Sequence, residues 1–370
     1  MTLISNNQFM IDEIKEEPAL FSQILEEKKR YTEGFVRLFT ENNIKKIFFI
    51  GSGSPSHLST ALKYAAVKLL KVDAVSEFPS LFLYHDDFDP NNVYKPSEML
   101  LVCPVESGKT KGPLLAAQKA KERGMHVVCT TLDEGGCLAQ TSDVVIKKPS
   151  GAEKAPPTTK GHSTAMFLLL LCMVEAARAT GALKETDYTM YQKGFAELSK
   201  TIENATQKSL EWFNKNKDAV MNASSYWFLG YGANYATASE AVLKFIESHQ
   251  KPTFAYELEE FLHGPLCALK TEDLIFFFAA EDCPEKERLL LLYHTMKTSY
   301  PNCVLIQTSK SAIEAPDAMT FDSVNLEFLN MLEFLIPVQV LSYAIADNAG
   351  IDVTVWTTKP IRDVMQPSFA

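Results

Sequence analysis

The strongest constraint on the fold is a local pattern that occurs twice: a short apolar run, a glycine-rich turn, and a stretch with helical spacing of apolar residues. The first occurrence is IKKIFFIGSG at 44–53 and the second is YWFLGYGANY at 226–235. Further apolar runs alternate with helical stretches in both halves, which is typical of βαβ units around a parallel sheet. We therefore expect an α/β fold of two similar domains, each a parallel sheet flanked by helices in three layers.

The length of 370 residues agrees with two domains, because it exceeds what one hydrophobic core usually serves. The predicted boundaries are a helical lead-in at 1–42, a first domain at 43–184, a helical connection at 185–218, a second domain at 219–350 and a tail at 351–370. The predicted strands lie at 44–50, 98–105, 124–131, 143–148, 226–230, 274–281 and 302–309. The predicted helices lie at 10–42, 56–70, 114–124, 163–180, 185–218, 236–250, 285–298 and 325–347.

The composition excludes several functional classes. Thirty-six Lys and Arg against 46 Asp and Glu give a net charge of −10, which argues against nucleic acids and anionic membranes as partners. The longest apolar run, 165–174, is shorter than the roughly 18 residues that a membrane span needs. The N-terminus is acidic where a signal peptide is basic. The seven cysteines are scattered without metal-ligand spacing, so we expect reduced thiols, a cytoplasmic location and no metal.

The first candidate site is the turn at 51–56, Gly-Ser-Gly-Ser-Pro-Ser, between a predicted strand and a predicted helix. Glycines let the backbone approach a ligand closely, and a helix start offers free N–H groups to a phosphate. A dinucleotide-binding turn would need a third glycine where Ser56 stands, with Glu77 as the acid for the ribose. A plain tight turn and a hydroxyl-lined cradle for a phosphate or sugar are the other interpretations. The residues of the cradle are Ser52, Gly53, Ser54 and Ser56.

The second candidate is the turn at 106–110, Glu-Ser-Gly-Lys-Thr, directly after a predicted strand. Its last three residues match the end of the phosphate-loop motif of NTPases, but the first glycine of that motif falls on Cys103. An NTPase is therefore disfavoured. Two hydroxyls and the N–H groups of the following helix start would instead form a smaller phosphate nest. The candidate residues are Glu106, Ser107, Gly108, Lys109 and Thr110.

The third candidate lies in the predicted helix 236–250. Glu240, Lys244 and Glu247 are spaced so that both carboxylates share one face with the lysine between them. One interpretation is a solvated ladder of salt bridges. The apolar character of the rest of the helix favours burial, and a buried carboxylate suits proton abstraction beside a carbonyl. His263, before Gly-Pro, is either a structural residue or a functional one, because imidazole is suited to proton transfer near neutral pH.

Together these segments resemble the sugar isomerase (SIS) domain family in its tandem form, notably the isomerase half of glucosamine-fructose-6-phosphate aminotransferase and the fructosamine-6-phosphate deglycases. The resemblance covers roughly residues 30–350. The segments that carry it are GSGSPS (51–56), ESGKT (106–110), GAEKAPPTTK (151–160), GYGANYATASEAVLKFIE (230–247) and ELEEFLHGPL (257–266). The last two segments are its most specific part.

The resemblance implies two SIS domains and assigns roles to the binding residues. Ser107 and Thr110 match the phosphate-binding loop of the family, and Glu106 stands in the position of a Gln. Thr158 matches a serine that holds the sugar.

The resemblance also implies the catalytic groups and the assembly. Glu247 matches the base that moves a proton between C1 and C2 of the sugar. His263 matches the group that opens the sugar ring, reaching in from the neighbouring subunit. We therefore expect a homodimer, or a dimer of dimers, with shared active sites and no cofactor.

Departures from the family pattern narrow the expected activity. Val105 and Pro55 each replace a serine of the two turns. The C-terminal stretch lacks the Leu-Ala-Lys-Ser of the aminotransferase: Met365 falls near its Schiff-base lysine, and Lys359 is out of register. No glutamine-hydrolysing domain is expected before the sugar domain, so synthesis of glucosamine 6-phosphate is not predicted.

The predicted function is therefore deglycation of a 6-phosphorylated fructosamine to glucose 6-phosphate and a free amine. A glucosamine-6-phosphate deaminase or a ketose/aldose phosphate isomerase would use the same proton transfer. A regulatory protein that binds a sugar phosphate is a further alternative, although it would usually carry an additional effector module. An enzyme that uses NAD or ATP is the remaining one.

Overall fold

The structure, a computed structural model, describes residues 7–280, 282–355 and 358–368. Its residues group into two compact units, each around one parallel five-stranded sheet. The N-terminal unit comprises Leu20–Ala152, Lys160–Lys193 and Trp356–Ala370. The C-terminal unit comprises Met1–Ala19, Glu153–Thr159 and Gly194–Val355. The segment Glu153–Thr159, from the middle of the chain, therefore belongs with the second sheet.

Strands and helices alternate in the first half of the chain. In order, they are α1 (Gln8–Glu26), α2 (Lys28–Glu41), β1 (Lys46–Ile50), α3 (Ser54–Ala65), β2 (Asp73–Glu77), α4 (Pro79–Tyr84), β3 (Met99–Pro104), α5 (Lys111–Glu122), β4 (His126–Thr131), α6 (Cys137–Thr141), β5 (Val144–Lys147) and α7 (Lys160–Ala179). A π-helical turn, Ala66–Leu70, extends α3.

The second half repeats the alternation after a long connecting helix. In order, its elements are α8 (Glu185–Asn222), β6 (Tyr226–Gly230), α9 (Asn234–His249), β7 (Thr253–Glu257), α10 (Leu258–Phe261), β8 (Leu274–Ala279), α11 (Pro284–Lys297), β9 (Cys303–Thr308), β10 (Met319–Phe321), α12 (Asn330–Ala349) and α13 (Lys359–Met365).

The sheet of the N-terminal unit has the strand order β2-β1-β3-β4-β5, and all its pairs are parallel. Phe48 and Ile50 of β1 belong to the same core cluster as Leu114 of α5. Ile47 and Phe49 point to the opposite face, where they are equally buried and where α3 packs. Because helices cover both faces, the inner strands are continuous apolar runs rather than alternating ones.

The sheet of the C-terminal unit has the strand order β10-β9-β8-β6-β7, again all parallel. Trp227 and Leu229 of β6 share a core cluster with Leu289 of α11. Phe228 points the other way and packs edge-on against Phe245 of α9, with ring centroids 4.9 Å apart. The predicted fold, a parallel sheet flanked by helices and occurring twice, is confirmed.

The strands that the sequence did not reveal, β2, β7 and β10, all lie at sheet edges. β2 reads DAVSE and has no buried residue, β7 reads TFAYE and has one, and β10 has three residues. An edge strand has a neighbour on one side, so it does not need a continuous apolar sequence. Such mixed sequences carry no period that predicts a strand.

The helix predicted at 163–180 is α7. Within the described part of the chain, α7 has the length and composition that would suffice to cross a membrane, and 83% of its apolar window is buried inside the protein. Core helices commonly meet the same criterion, so this observation is weak support for a membrane span.

The helix predicted over 325–347 is wrong at its start, since α12 begins at Asn330. Asn325 and Phe328 have φ angles of 49° and 70°, outside the right-handed helical region. The tail 351–370, for which no helix or strand was predicted, contains α13. The connection predicted at 185–218 is α8, which is kinked at Asn216.

Candidate functional site

The two predicted phosphate-binding turns follow β1 and β3, which are neighbours in the sheet of the N-terminal unit. The strand order reverses between them, because β2 lies beyond β1 while β4 and β5 lie beyond β3. In open parallel sheets, ligands bind outside the carboxyl ends of the strands at such a reversal. The turns 51–56 and 106–110 are thus at the edge of this sheet where a ligand is expected.

The turn 51–56 combines a backbone conformation that favours glycine with an exposed serine. Gly53 has a φ of 68°, and a Cβ on Gly51 would come within 2.5 Å of the backbone of α3. The hydroxyl of Ser56 donates to the carbonyl of Gly53 at 2.7 Å, so this serine holds the turn. Ser54 is also buried, whereas Ser52 and Gly53 are exposed. A ligand would therefore meet Ser52 and the backbone of Gly53 first.

The turn 106–110 presents hydroxyls at the start of α5. Ser107 and Lys109 are exposed, and the Ser107 oxygen accepts from the Lys109 N–H at 3.3 Å. Gly108 is buried with a φ of 70°, and a Cβ there would lie 3.1 Å from the Thr131 hydroxyl. Thr110 is the N-cap of α5, and its side chain makes no capping hydrogen bond. Its hydroxyl can therefore turn toward a ligand.

The C-terminal tail lies against this turn. The N–H of Lys111 donates to the carbonyl of Pro367 at 3.0 Å, and Thr110 forms an isolated antiparallel bridge with Ser368. The backbone N–H of Lys111, at the start of α5, therefore already donates to the tail. The side chain of Lys359 lies outside the described residues.

The carboxylate of Glu106 forms an ion pair with the ammonium of Lys148, which follows β5. The lysine side chain is 1% exposed and the glutamate side chain 37%. The same ammonium donates to the carbonyl of Gly161, in the first turn of α7, at 3.4 Å. Sequence reasoning missed Lys148 because it is separated from Glu106 by 42 positions, and no local spacing connects the two.

In the C-terminal unit, Glu240, Lys244 and Glu247 form a buried ionic cluster on α9. The Lys244 Nζ lies 2.7 Å from Glu247 Oε2 and 3.5 Å from Glu240 Oε1. The side chains are 1% exposed for Glu240 and Lys244 and 16% for Glu247. The interpretation as a solvated ladder is wrong, because Glu240 and Lys244 are almost fully buried, as the alternative interpretation predicted.

The cluster keeps its cation charged. Burial alone would lower the pKa of Lys244, but the charges of Glu247 and Glu240 outweigh this effect and raise it, and Glu153 acts in the same direction. Glu247 therefore has a fixed charged donor at one oxygen and keeps partial access to solvent.

Glu153 also organises the segment that carries Thr158. Its carboxylate accepts hydrogen bonds from the hydroxyls of Thr158 and Thr159 and, at 2.5 Å, from the Thr159 N–H. This segment belongs to the same unit as α9, and the charge of Glu153 is felt at Lys244. Thr158 therefore donates a hydrogen bond to a carboxylate whose charge helps to raise the pKa of Lys244. Glu153 lies within GAEKAPPTTK, but nothing in the local sequence indicates this role.

His263 lies in the turn after α10, and it is exposed in the single chain. Its N–H donates to the carbonyl of Glu260 at 3.0 Å, and the following Gly264 has a φ of 140°, which favours glycine. Glu257 caps α10 by accepting from the N–H groups of Glu259 and Glu260 at 2.9 and 3.0 Å. The imidazole is therefore carried by a well-defined surface turn.

Cys103 and Glu77 are the residues on which the two nucleotide-binding interpretations depend, an NTPase loop and a dinucleotide-binding turn. Cys103, where an NTPase loop would have its first glycine, is fully buried inside β3. Glu77 ends β2 beside Ile50, and burial followed by the charge of Asp86 raises the pKa of its carboxyl. Within the ranges that the structure describes, no group of His, Cys, Asp or Glu side chains is arranged to hold a metal ion.

Comparison with known proteins places these turns in a family. The model of the SIS domain matches residues 42–174 and 220–319. The glutamine–fructose-6-phosphate aminotransferase (isomerizing) of Caldanaerobacter subterraneus subsp. tengcongensis is 24% identical over 361 residues, which cover 93% of this chain and 57% of that protein. The chain thus spans little more than half the length of this relative.

Solved structures share the fold. The C-terminal domain of glucosamine-fructose-6-phosphate aminotransferase from Francisella tularensis superposes with a TM-score of 0.82 at 23% identity, over 93% of this chain and 97% of that one. A glucosamine-6-phosphate deaminase from Thermotoga maritima gives 0.68 at 22% identity, over 95% and 97%. Because the family model matches more than half of the chain, in one segment of each half, the protein belongs to the SIS domain family.

Proposed function

We propose that the protein is a deglycase that cleaves a 6-phosphorylated fructosamine, a fructose–amino acid 6-phosphate, into glucose 6-phosphate and the free amine. The observation that carries the proposal is the cluster of Glu240, Lys244 and Glu247. A carboxylate held beside a cation in low-dielectric surroundings is suited to moving a proton along a carbon skeleton.

The 6-phosphate is held in this proposal by the turns at the ends of β1 and β3. Ser52, Ser107 and Thr110 supply hydroxyls, and the starts of α3 and α5 supply N–H groups and positive helix dipoles. Each helix start contributes about 0.3–1 kcal/mol toward an anion, so several donors have to act together.

The reaction begins from the closed sugar ring. His263 transfers a proton to the ring oxygen while the C2 hydroxyl gives up its proton to solvent, which opens the ring to the free C2 ketone. Glu247 then removes a proton from C1, the electron pair forms the C1–C2 double bond, and the C2 oxygen takes a proton from solvent to complete an enaminol. The same carboxylic acid returns the proton to C2, which leaves a carbon–nitrogen double bond at C1. Water adds to C1, the amine leaves, and glucose 6-phosphate results.

The neighbouring groups serve this proton transfer. Lys244 orients the carboxylate of Glu247 and places a positive charge beside the negative charge that develops in the enaminol. Thr158, tied to Glu153, offers a hydroxyl to the sugar hydroxyls.

A glucosamine-6-phosphate deaminase or a ketose/aldose phosphate isomerase is the alternative, because both reactions use the same C1–C2 proton transfer. The likeness in fold to the Thermotoga maritima deaminase supports it. Met365, which stands near the position where the aminotransferase pattern has its lysine, argues against synthesis of glucosamine 6-phosphate and does not separate deglycation from these two reactions.

The proposed assembly is a homodimer, or a dimer of dimers, with His263 donated to the site of the other subunit. The exposure of this histidine in the single chain supports the assignment. So do large apolar side chains that are exposed on the C-terminal unit, among them Ile246 (45%), directly before Glu247, and Leu291 (59%).

The test is a coupled assay for glucose 6-phosphate released from a panel of fructose–amino acid 6-phosphates, with glucosamine 6-phosphate and fructose 6-phosphate alongside. The proposal expects glucose 6-phosphate and free amine in equal amounts from at least one conjugate. Ammonia from glucosamine 6-phosphate without turnover of any conjugate would identify a deaminase. Interconversion of fructose and glucose 6-phosphates alone would identify an isomerase.

A further inference from the structure

The pair of Glu106 and Lys148 places a buried cation directly behind the turn 106–110. The ammonium contacts the Glu106 carboxylate and also donates to the carbonyl of Gly161 at 3.4 Å. A buried ion pair contributes little net stability, because removing both charges from water costs about as much as their attraction returns. The stability of the unit is therefore not a sufficient reason for this pair.

Both partners are fixed by the end of β4. The carbonyl of Glu106 accepts from the Leu132 N–H at 2.9 Å, and the N–H of Lys148 donates to the carbonyl of Thr131 at 3.0 Å. The ends of β3, β4 and β5 are thus tied together at the residue that immediately precedes Ser107. The backbone of both partners is therefore fixed beside the turn.

We propose that Lys148 is a positioning residue that cancels the charge of Glu106 and so lets the turn 106–110 accept a dianionic phosphate. A carboxylate next to phosphate-binding hydroxyls repels a dianion, and at a partly buried position this repulsion is screened less than in bulk water. The ammonium of Lys148, in contact with that carboxylate, offsets the repulsion. The inference rests on the proposed function, since it takes the turn as the phosphate site.

The test measures the dissociation constant of glucose 6-phosphate by titration calorimetry for the wild type, Glu106→Gln, Lys148→Met and the double variant. The summed charge of the two side chains is zero in the wild type and in the double variant. It is positive in Glu106→Gln and negative in Lys148→Met. We expect the tightest binding for Glu106→Gln and a loss of about tenfold or more for Lys148→Met, with the double variant within about threefold of the wild type. In turnover, the same order is expected in KM, with kcat changing by less than about threefold.

Two results would overturn the inference. A double variant that binds as weakly as Lys148→Met would mean that the lysine does not act by offsetting Glu106. A Lys148→Met protein that binds as tightly as the wild type would mean that the pair has no influence on the ligand.

The matched control is Lys147→Met, one position earlier. Lys147 is 48% exposed and pairs with Glu134 at 2.8 Å, so its removal should change the dissociation constant by less than about twofold. If Lys148→Met does not fold, the Glu106→Gln variant alone tests the inference. It should bind glucose 6-phosphate more tightly and have a lower free energy of unfolding, because the buried ammonium loses its partner. Equal or weaker binding would overturn the inference.

The binding measurement and the turnover assay separate the two proposals. The expected order of dissociation constants without turnover of any conjugate would refute the deglycase and support the role of Lys148. Turnover of a conjugate without that order would refute the role of Lys148 alone. A wild-type protein that neither binds glucose 6-phosphate nor turns over any conjugate would refute both.

Discussion

The ammonium of Lys244 lies 2.7 Å from the carboxylate of Glu247 on the same face of α9. The lysine side chain is 1% exposed. Glu240 approaches the same ammonium at 3.5 Å from one turn earlier. Of the three side chains, that of Glu247 keeps the most contact with solvent. The cluster thus holds one carboxylate in a fixed position and leaves it open to a reactant.

Replacing Glu247 by Gln should abolish turnover while sparing the fold. General base catalysis contributes about 10²–10⁴-fold, so kcat should fall by at least about 10²-fold. The dissociation constant of glucose 6-phosphate should stay within about threefold, because the proposed phosphate site is elsewhere. The control is Glu211→Gln, which removes an exposed carboxylate paired with Lys208. An unchanged kcat for Glu247→Gln would remove this residue from the mechanism.

Replacing Lys244 by Met should destabilise the protein, because it leaves Glu240 buried without its cation. Breaking a buried ion pair typically costs about 3–5 kcal/mol of unfolding free energy, measured by chemical denaturation. The pKa of Lys244 is raised in the folded state, so its stabilisation is present below pH 10.5 and is lost as the pH rises through the folded-state pKa. The difference between wild type and variant should therefore shrink above that pH.

A suitable control for that variant is Lys208→Met, whose exposed pair with Glu211 should contribute less than about 1 kcal/mol. A Lys244→Met protein as stable as this control would contradict the prediction.

Replacing Thr110 by Val should weaken binding of the phosphate while preserving the shape of the turn. Hydrogen bonds to charged groups contribute about 1.5–3 kcal/mol, which corresponds to a KM for the sugar phosphate about 10- to 100-fold higher. The control is Thr141→Val, whose exposed hydroxyl bonds to the carbonyl of Cys137 at 2.8 Å. Steady-state kinetics with both variants would measure this effect, and a KM equal to that of the control would exclude Thr110 from the phosphate site.

Mixing two inactive variants should restore activity if the sites are shared between subunits. In a heterodimer of Glu247→Gln and His263→Asn, one site carries both defects and the other carries neither. Random exchange of subunits therefore predicts recovery of about a quarter of the wild-type activity. Refolding the variants together and assaying turnover, with light scattering to measure the mass, tests this expectation. Two variants that remain inactive after proven exchange would show that each chain completes its own site.

The inner strands could be predicted from the sequence because burial on both faces demands continuous apolar runs, as in β3 and β8. The edge strands β2 and β7 could not, because a strand with one neighbour tolerates polar residues such as Asp73 and Glu77. The start of α12 was equally hidden. The helix begins late because Asn325 and Phe328 have positive φ angles, and no local sequence pattern predicts these angles.

For the candidate site, the sequence predicted what lies within one element. The spacing of Glu240, Lys244 and Glu247 on a single helix was enough to group them, and their apolar neighbours were enough to predict burial. Contacts between distant segments could not be predicted in this way. Lys148 reaches Glu106 across the ends of three strands, and the charge of Glu153 acts on Lys244 from a separate loop, so neither has a signal in local spacing.

Glu333 of α12 should make the stability of the protein depend on pH near neutrality. Its side chain is fully buried, and burial raises its pKa to about 7 despite hydrogen bonds from Ser323 and, at 2.9 Å, from the Val324 N–H. The folded state therefore keeps this proton after the unfolded chain has lost it, near pH 4.5. Its contribution is fully present below that pH and is lost as the pH rises toward 7, by about 3 kcal/mol in total, since one pKa unit corresponds to about 1.4 kcal/mol.

The variant Glu333→Gln should not show this loss. Its unfolding free energy should therefore rise relative to that of the wild type between pH 4.5 and 8. A difference that stays constant over this range, measured by urea denaturation at fixed ionic strength, would mean that Glu333 titrates alike in the folded and unfolded states.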